Sequence, residues 1–393
     1  MKRFSKHLFY IFLLLVLNFS LLAQDSARIR ISLLTCTPGA ELYSTFGHSA
    51  VRVVDSNSVS DIVFNYGTFN FDDDGFYVKF VRGKLLYYVS VEPFESFRFD
   101  YQVSNRGITE QVLNLSEAER RNIYAALREN LKEENKFYKY DFFLDNCTTR
   151  LRDLIVSNKI PHPVLPAVMP DRFRFRQAIH QYLDLNKKYW SKLGIDLLLG
   201  APCDAIMTTS QQQFLPDNLM LALDGSRNVT IVASKLDLYP VIVDQEQLQW
   251  FTPMTFFSAL LIIYILLGQA QQPALKHILY GLDGILFFLA GIMGLLFLVM
   301  WFGTDHTMTK ENYNLLWAWP THLLFSFVVN SKKGFARKYF RVCFYGMAVV
   351  LLTWFILPQQ MNNALLPLVL LLLYRSWAAG KSHASFVNIN TTS

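Results

Sequence analysis

The chain has 393 residues, of which 52% are hydrophobic and 17% are charged, and its formal net charge is +6. This charge does not imply nucleic-acid binding. The three basic residues near the N-terminus and the five in the loop SKKGFARKYFR together carry more positive charge than the net charge of the whole chain. The sequence contains neither an internal repeat nor a low-complexity tract.

The N-terminus has the charge and length of a secretory signal. Three basic residues precede an apolar stretch over 8–22, which predicts a signal peptide at 1–23. Leu21 stands where a small residue is preferred for cleavage, so an uncleaved anchor is the alternative. In both cases the chain from Gln24 onward is exported, into a compartment that permits disulfides.

The region 24–250 is long enough for one exported domain with a sizeable core. Ser116 and Glu119 form a capping box that begins a helix. Strands grouped first and helices later favour an α+β fold. The predicted strands are 29–34, 49–54, 61–66, 84–91 and 107–113, and the predicted helices are 116–132 and 147–157.

The segment YDFFLDNCTTRLRDLI places Cys147 at the start of a helix. Leu151, Leu154 and Ile155 recur at the spacing of an apolar helical face, and Asp145 suits the N-cap. At this position, unpaired N–H groups and the helix dipole favour a thiolate and can hold an oxyanion. The alternative is that Cys147 is a buried apolar residue or part of a disulfide.

A histidine that could activate this thiol comes about a hundred residues earlier in the chain. His48, in FGHSAVRVV, begins a β-branched, alternating run that predicts a strand. A cysteine on a helix N-terminus facing a histidine on a strand is typical of papain-like thiol enzymes, in which the imidazole takes the thiol proton. If Cys147 stays free, Cys36 and Cys203 are the natural pair for a disulfide, because Cys343 lies in a predicted membrane helix.

Further candidates for the site are less specific. In permuted thiol folds the third catalytic residue comes from the strand after the histidine strand, which offers Asn65, although this asparagine could equally shape a turn. Tyr140 is a candidate for an oxyanion or substrate contact, or else an ordinary core aromatic. Arg52 and Arg106 could serve headgroup phosphates, but nothing in the sequence distinguishes them from surface arginines. The exported domain has no cluster of metal ligands at short spacing, and no metal or other cofactor is predicted.

The chain changes character at Pro253. Five apolar segments follow, each near the length that spans a bilayer, and they predict a transmembrane domain over 251–380 with a cytoplasmic tail at 381–393. The basic loop SKKGFARKYFR falls on the predicted cytoplasmic side, in agreement with the positive-inside rule. The segments are Met254–Gly268, Ile278–Phe302, Leu315–Val329, Tyr339–Leu357 and Ala364–Ala378.

The loop from Gly303 to Asn314 would then face the same side as the exported domain. It is crowded with polar residues, and we predict that Asp305, His306 and Asn312 contact a headgroup or the start of a peptide substrate. The alternative is an aromatic belt with helix caps.

Several of these blocks resemble one known family. LLTCTPGAELYSTFGHSAVRV, NYGTF, YKYDFFLDNCTTRLRDLI and DHTMTKENYNLLWAWPTHLL are similar to the Bacteroidota lipoprotein N-acyltransferase family, known as Lnb. The resemblance implies a circularly permuted NlpC/P60 or LRAT-like papain fold, with His48 and Cys147 as the catalytic pair. It also implies transfer of an acyl chain from a phospholipid donor to the free α-amino group of a diacylated lipoprotein acceptor, by an enzyme of the inner membrane whose catalytic domain faces the periplasm. Oligomeric state is left open.

Two other functions remain open at this stage. A membrane-bound NlpC/P60-type cysteine hydrolase would use the same pair with water as acceptor, although five membrane helices are superfluous for cell-wall cleavage. A non-enzymatic lipoprotein assembly factor would tolerate loss of the thiol.

Overall fold

A computed structural model describes residues 29–240 and 249–381. The predicted signal peptide and nearly all of the predicted cytoplasmic tail lie outside the described residues. The described chain forms two compact units, of which the first contains 29–80, 84–173 and 207–240, and the second contains 81–83, 174–206 and 249–381.

The first unit is built on a seven-stranded sheet with the order β6-β4-β3-β2-β1-β5-β7, in which every neighbouring pair is antiparallel. The five predicted strands are present within two residues at each end, so the mixed helix and sheet prediction is confirmed. The strands are β1 Ile29–Cys36, β2 His48–Asp55, β3 Ser60–Thr68, β4 Leu86–Pro93, β5 Ile108–Leu113, β6 Phe137–Lys139 and β7 Val232–Tyr239.

Helices make up most of the remaining regular structure. Those at 116–132 and 147–157 were expected, and they begin and end within two residues of the prediction. In chain order the α-helices are α1 Phe76–Val81, α2 Phe94–Val103, α3 Glu117–Asn130, α4 Cys147–Asn158, α5 Phe175–Leu185, α6 Tyr189–Leu198, α7 Pro216–Asp224, α8 Pro253–Gln269, α9 Pro273–Phe302, α10 His322–Phe325, α11 Gly334–Thr353 and α12 Leu366–Gly380.

Alternation along the strands gives the sheet two apolar faces. Val51 and Val53 of β2 pack with Leu151 and Ile155 of α4, while Ala50 lies in a second cluster that includes α2. Burying each such Val, Leu or Ile side chain contributes roughly 1.5–3 kcal/mol. Because both faces are covered, the β1–β2 register is strongly specified and places Cys36 directly opposite His48.

The second unit contains the apolar helices. Among the described residues, two helical segments are long and apolar enough to cross a membrane by length and composition, Pro273–Phe302 and Asn363–Gly380, and Pro253–Gln269 is a shorter apolar helix. Four of the five predicted segments therefore correspond to continuous helices, namely α8, α9, α11 and α12.

The third predicted segment is not one continuous helix. Residues 315–329 instead contain the end of a 3₁₀ turn, the short helix α10 and a second 3₁₀ turn. Pro320 has no N–H to donate, and the Ser326 hydroxyl donates to the Leu323 carbonyl at 2.8 Å. The segment still packs along α9, since the Trp317 ring lies 6.2 Å from Phe297 and the Phe327 ring lies 6.0 Å from Phe288, centroid to centroid. The residues that flank it also bond to α9, because the Thr309 hydroxyl donates to the Met300 carbonyl at 2.9 Å and the Asn330 side chain donates to the Tyr280 carbonyl at 3.0 Å.

The predicted disulfide is wrong. All four cysteines are free and buried. Cys36 lies in β1 of the first unit, where it packs with Tyr101 and burial raises its pKa to about 12. Cys203 is buried in the second unit, in the short 3₁₀ helix Ala201–Asp204.

Candidate functional site

The start of α4 is fixed by Asn146 and not by Asp145, which corrects the predicted N-cap. Asn146 Oδ1 accepts from the backbone N–H groups of Thr148 and Thr149, both at 2.8 Å, and the Thr149 hydroxyl accepts from the Asn146 N–H at 2.8 Å. Asp145 instead pairs with Arg150 through two contacts of 2.7 Å.

Burial explains why asparagine takes this position. Asn146 Nδ2 donates to the carbonyls of Phe142 and Phe214, at 2.7 and 2.9 Å, so the buried amide uses both its acceptor and its donors. An aspartate could accept from the helix but could not donate to these carbonyls. The amide thereby ties the loop before Cys147 to the chain at 214 and fixes where the helix begins.

The cap of α4 determines which backbone N–H group of the first helical turn can bind a ligand. The N–H groups of Thr148 and Thr149 are engaged by Asn146, whereas the N–H of Cys147 is the first-turn amide that this side chain does not engage. The Cys147 N–H, at the positive end of the helix dipole, is therefore the candidate oxyanion donor.

The structure places the Cys147 thiol next to the His48 imidazole, and the two groups interact electrostatically. Burial acts to raise the pKa of the thiol, but the charge of His48, the hydrogen bond to it and the backbone N–H of Ser49 lower it below its ordinary value. Burial acts to lower the pKa of His48, but Cys147 and Asn65 raise it above its ordinary value. Both shifts act in the direction that favours a thiolate beside an imidazolium.

Asn65 orients the imidazole. Its Oδ1 lies 3.1 Å from His48 Nε2, and because an amide oxygen only accepts, Nε2 carries the proton of this contact. The second ring nitrogen, Nδ1, is then the one available to the thiol. Asn65 is buried, as a positioning residue requires.

Glu92 in turn orients Asn65, and sequence reasoning missed it. Asn65 Nδ2 donates to Glu92 Oε1 at 2.8 Å, which fixes the amide so that its oxygen faces His48. The predicted fourth strand ends at Val91, one residue before Glu92. The signal that could have found Glu92 is the antiparallel register, in which Val63 pairs with Glu92 and Asn65 pairs with Ser90.

Tyr140 also lies at the thiol. A Cβ added at Gly67 would lie 3.2 Å from the Tyr140 ring and 3.9 Å from Cys147 Cβ. The lack of a side chain at Gly67 therefore leaves room for both residues. Gly67 has a φ of +86°, a left-handed conformation that side chains disfavour. The Tyr140 ring stacks on Tyr87 with 4.4 Å between centroids.

The other predicted contact residues belong to the second unit. The backbone N–H of Asp305 donates to the Arg82 carbonyl at 2.9 Å, and His306 follows it in the same loop. Asn312 is fully buried, and its Nδ2 donates to the Leu197 carbonyl at 2.8 Å near the end of α6. Its Oδ1 accepts from the Asn314 N–H at 3.0 Å, so its amide is used within the fold.

The residues at Cys147 can support covalent acyl transfer. A thiolate of lowered pKa attacks a carbonyl, an imidazolium donates to the leaving group, and a helix N–H receives the oxyanion. Within 29–240 and 249–381, no group of three or more His, Cys, Asp or Glu residues is arranged to hold a metal ion.

Two family models match the chain. Residues 18–165 match the Lnb N-terminal periplasmic domain, and residues 244–382 match the Lnb transmembrane domain. No curated protein and no solved structure matches it. Together the two models cover both Cys147 with its partners and the apolar helices, and they indicate a membrane protein with a periplasmic N-terminal domain.

Proposed function

Because the chain belongs to the Lnb family, we propose that it is a lipoprotein N-acyltransferase that uses Cys147 as its nucleophile. The donor is a glycerophospholipid and the acceptor is the α-amino group of a diacylglyceryl-cysteine lipoprotein. The observation that carries the proposal is the Cys147 thiol at the start of α4, beside an imidazole that Asn65 orients.

In the first half of the reaction, the Cys147 thiolate attacks the carbonyl carbon of a phospholipid ester. The resulting oxyanion accepts from the Cys147 N–H. The intermediate collapses by breaking the bond between this carbon and the ester oxygen, and the departing lysophospholipid oxygen takes the proton from His48. The products are a thioester on Cys147 and a neutral imidazole.

In the second half, the lipoprotein amine attacks the thioester. Neutral His48 accepts a proton from the amine, the carbon–sulfur bond breaks, and the thiolate and imidazolium are restored. Formation of an amide from a thioester makes the transfer favourable. Since both substrates are lipids of the same membrane surface, tethering the site to that membrane raises their effective concentration.

We read the catalytic domain as a permuted papain-like fold. The nucleophile on a helix N-terminus and the histidine on the first residue of β2 support this reading, and the permutation follows from His48 preceding Cys147 in the chain.

We also propose five membrane crossings in the inner membrane, with 24–250 in the periplasm. The residues that flank the irregular third segment support a crossing, because Thr309 before it and Asn330 after it bond to α9 at Met300 and Tyr280. At ~1.5 Å per helical residue that length of α9 is about 30 Å, the thickness of a bilayer's hydrocarbon core.

The test is mass spectrometry of lipoprotein N-termini from cells with the wild-type protein, without it, and with Cys147→Ser. We expect N-acylated lipoproteins only with the wild type. In a reaction with purified protein and phospholipid alone, the peptide containing Cys147 should gain one acyl mass that hydroxylamine removes. Rapid release of this acyl group to water, with no transfer to an added lipoprotein, would instead support the hydrolase alternative.

A further inference from the structure

Two arginines of the first unit were open candidates for phosphate contacts, and their surroundings now separate them. Arg52 is neutralised, because Asp61 accepts from its Nε and Nη2 at 2.8 and 2.6 Å and Glu110 accepts from its Nη1 at 3.2 Å. A guanidinium held by two carboxylates has little capacity left for an anionic ligand.

Arg106 has no such neutralising partner among the described residues. Its Nε donates to the Thr37 carbonyl at 2.9 Å, and its guanidinium lies over the Tyr101 ring at 4.5 Å from the centroid. Its Nη2 is buried and has no hydrogen-bond partner within the described part of the chain. Leaving a buried charged donor unsatisfied is costly, which points to an anionic group that completes this site when bound.

Two other arginines of the first unit also have a buried nitrogen without a hydrogen-bond partner, but a different nitrogen atom is involved than in Arg106. In Arg98 and Arg120 this atom is Nε, and a terminal nitrogen of each is already bonded, to Glu95 and to the Leu115 carbonyl respectively. In Arg106 the terminal nitrogen itself is unbonded, and terminal nitrogens are the ones that reach phosphate oxygens.

Arg106 lies at the end of the sheet where the catalytic histidine begins its strand. Thr37, to which it donates, follows Cys36, and Cys36 is directly opposite His48 in the β1–β2 register. Tyr101, on which the guanidinium stacks, packs with Cys36 in one buried cluster. One side-chain layer, formed by Cys36 and Tyr101, therefore links Arg106 to His48.

We propose that Arg106 binds the phosphate of the glycerophospholipid donor while the donor's ester lies against Cys147. This assignment rests on the proposed acyltransferase function and specifies how its donor is recognised. Only the glycerol carbons separate the phosphate of such a lipid from its esters, so one anchor at the phosphate restricts where the carbonyl can lie. An arginine suits this task because its planar guanidinium presents two N–H groups to the phosphate oxygens.

The experiment compares two donors on the full-length protein in detergent. The rate of acylation of Cys147 is measured by intact mass with phosphatidylglycerol and with a diacylglycerol of the same chains, which keeps the esters and lacks the phosphate. We expect the wild type to prefer phosphatidylglycerol, and Arg106→Gln to lower this preference about tenfold or more through KM for the phospholipid. Arg106→Lys, which keeps the charge without the planar guanidinium, should be intermediate, and Arg121→Gln should match the wild type because Arg121 is exposed on α3 and paired with Glu117.

Two results would overturn the assignment. One is an unchanged donor preference in Arg106→Gln, and the other is an equal loss of rate with both donors, which would mean that Arg106 only supports the fold. Binding of an ether-linked phosphatidylglycerol, which has no ester to cleave, tests the contact separately from the chemistry. If the wild type is never acylated but binds this ether lipid in an Arg106-dependent way, the phosphate site stands and the acyltransferase proposal fails.

The same binding assay identifies the source of the phosphate. We expect glycerol 3-phosphate to displace the ether lipid from the wild type but not from Arg106→Lys. This result would support the site, because it would show that the phosphate alone is recognised. Binding of the ether lipid that is equal in the wild type and in Arg106→Gln would contradict it.

Discussion

At the scale of single residues, the proposed reactivity of Cys147 depends on the partners of its thiol and not on exposure to solvent. The thiol is buried, and burial by itself would keep it protonated. Its pKa is lowered because His48 is beside it, and the pKa of His48 is raised for the same reason. The thiolate of Cys147 is favoured by the imidazolium of His48, and the imidazolium by the thiolate. We therefore expect the two residues to act as one catalytic unit.

We expect Cys147→Ala to abolish acyl transfer and His48→Ala to reduce it by at least ~10³-fold, because the thiol then lacks its base. The double variant should be no worse than Cys147→Ala alone. The measurement is transfer to a purified lipoprotein, with membrane insertion and thermal unfolding checked for each variant. Wild-type transfer by a folded Cys147→Ala protein would remove the thiol from the mechanism.

Glu92 should matter through Asn65, and its effect should appear in the pH profile. In Glu92→Gln the new amide can present either an oxygen or an N–H to Asn65, so Asn65 loses its fixed orientation toward His48. The hydrogen bond that His48 donates to Asn65 raises the pKa of His48, so weakening this bond lowers that pKa. The imidazolium is then lost at lower pH, and we expect the alkaline limb of Cys147 acylation to move to lower pH with a roughly tenfold lower rate, part of the ~10²–10⁴-fold that general acid–base catalysis supplies.

The controls for this prediction are two variants. Asn65→Ala should move the alkaline limb in the same direction, whereas Glu133→Gln, at an exposed glutamate paired with Lys136, should leave it in place. A pH profile of Glu92→Gln that overlays the wild type would show that Glu92 does not act through the histidine.

At the scale of elements, the position of the proposed nucleophile Cys147 depends on the cap of α4. Asn146→Asp keeps the oxygen that accepts from Thr148 and Thr149 but removes the two hydrogen bonds that Asn146 Nδ2 donates to the carbonyls of Phe142 and Phe214. We expect a loss of at least about 2 kcal/mol in the free energy of unfolding, because each unsatisfied buried group costs ~1–3 kcal/mol. Asp145→Asn is the neighbouring control, since it removes only a partly exposed ion pair worth up to ~1 kcal/mol. Equal stability of the two variants by thermal unfolding would contradict this account.

Close packing along α9 gives a second test at this scale. A Cβ at Gly294 would overlap the carbonyl oxygen of Ala318, whereas a Cβ at Gly281 meets no atom within 4 Å. We therefore expect Gly294→Ala to destabilise the protein in detergent by about 1–3 kcal/mol, as overpacking does, and Gly281→Ala to be neutral or slightly stabilising. If both changes have the same effect on the melting temperature, the irregular third segment does not pack on α9 as described.

The elements also show which parts of the fold could be predicted from sequence. Alternation and capping residues are local signals, and β1 to β5, α3 and α4 were located from them. β7 was missed because its pairing with β5 joins residues more than a hundred positions apart. The cap was assigned to Asp145 because only burial distinguishes it from Asn146. The third predicted segment was interpreted as a helix because its composition is apolar. Pro320 is visible in the sequence but does not exclude a membrane helix by itself, and the polar contacts that break the helix form only in the packed structure.

At the scale of the whole molecule, the resemblance to the Lnb family was confirmed by both family models, while Glu92 and the unneutralised Arg106 required the fold. Neither residue belongs to a recognisable spacing pattern. Their partners come from other strands and loops, so their roles become visible only once the register of the sheet is known.

The proposed topology makes a prediction about the whole chain. With the N-terminal domain in the periplasm, five crossings place the loop 303–314 on the periplasmic side and the basic loop after Asn330 in the cytoplasm, as the positive-inside rule requires. A cysteine introduced at Thr307 should therefore react with a membrane-impermeant thiol reagent added to the periplasmic side, and one at Ser331 should react only after the membrane is permeabilised. The four native cysteines are buried, so the wild-type protein gives the background. If both introduced cysteines react from the periplasm, the third segment enters the membrane and returns to the same side. That result would leave an even number of crossings and would place the basic loop against the positive-inside rule.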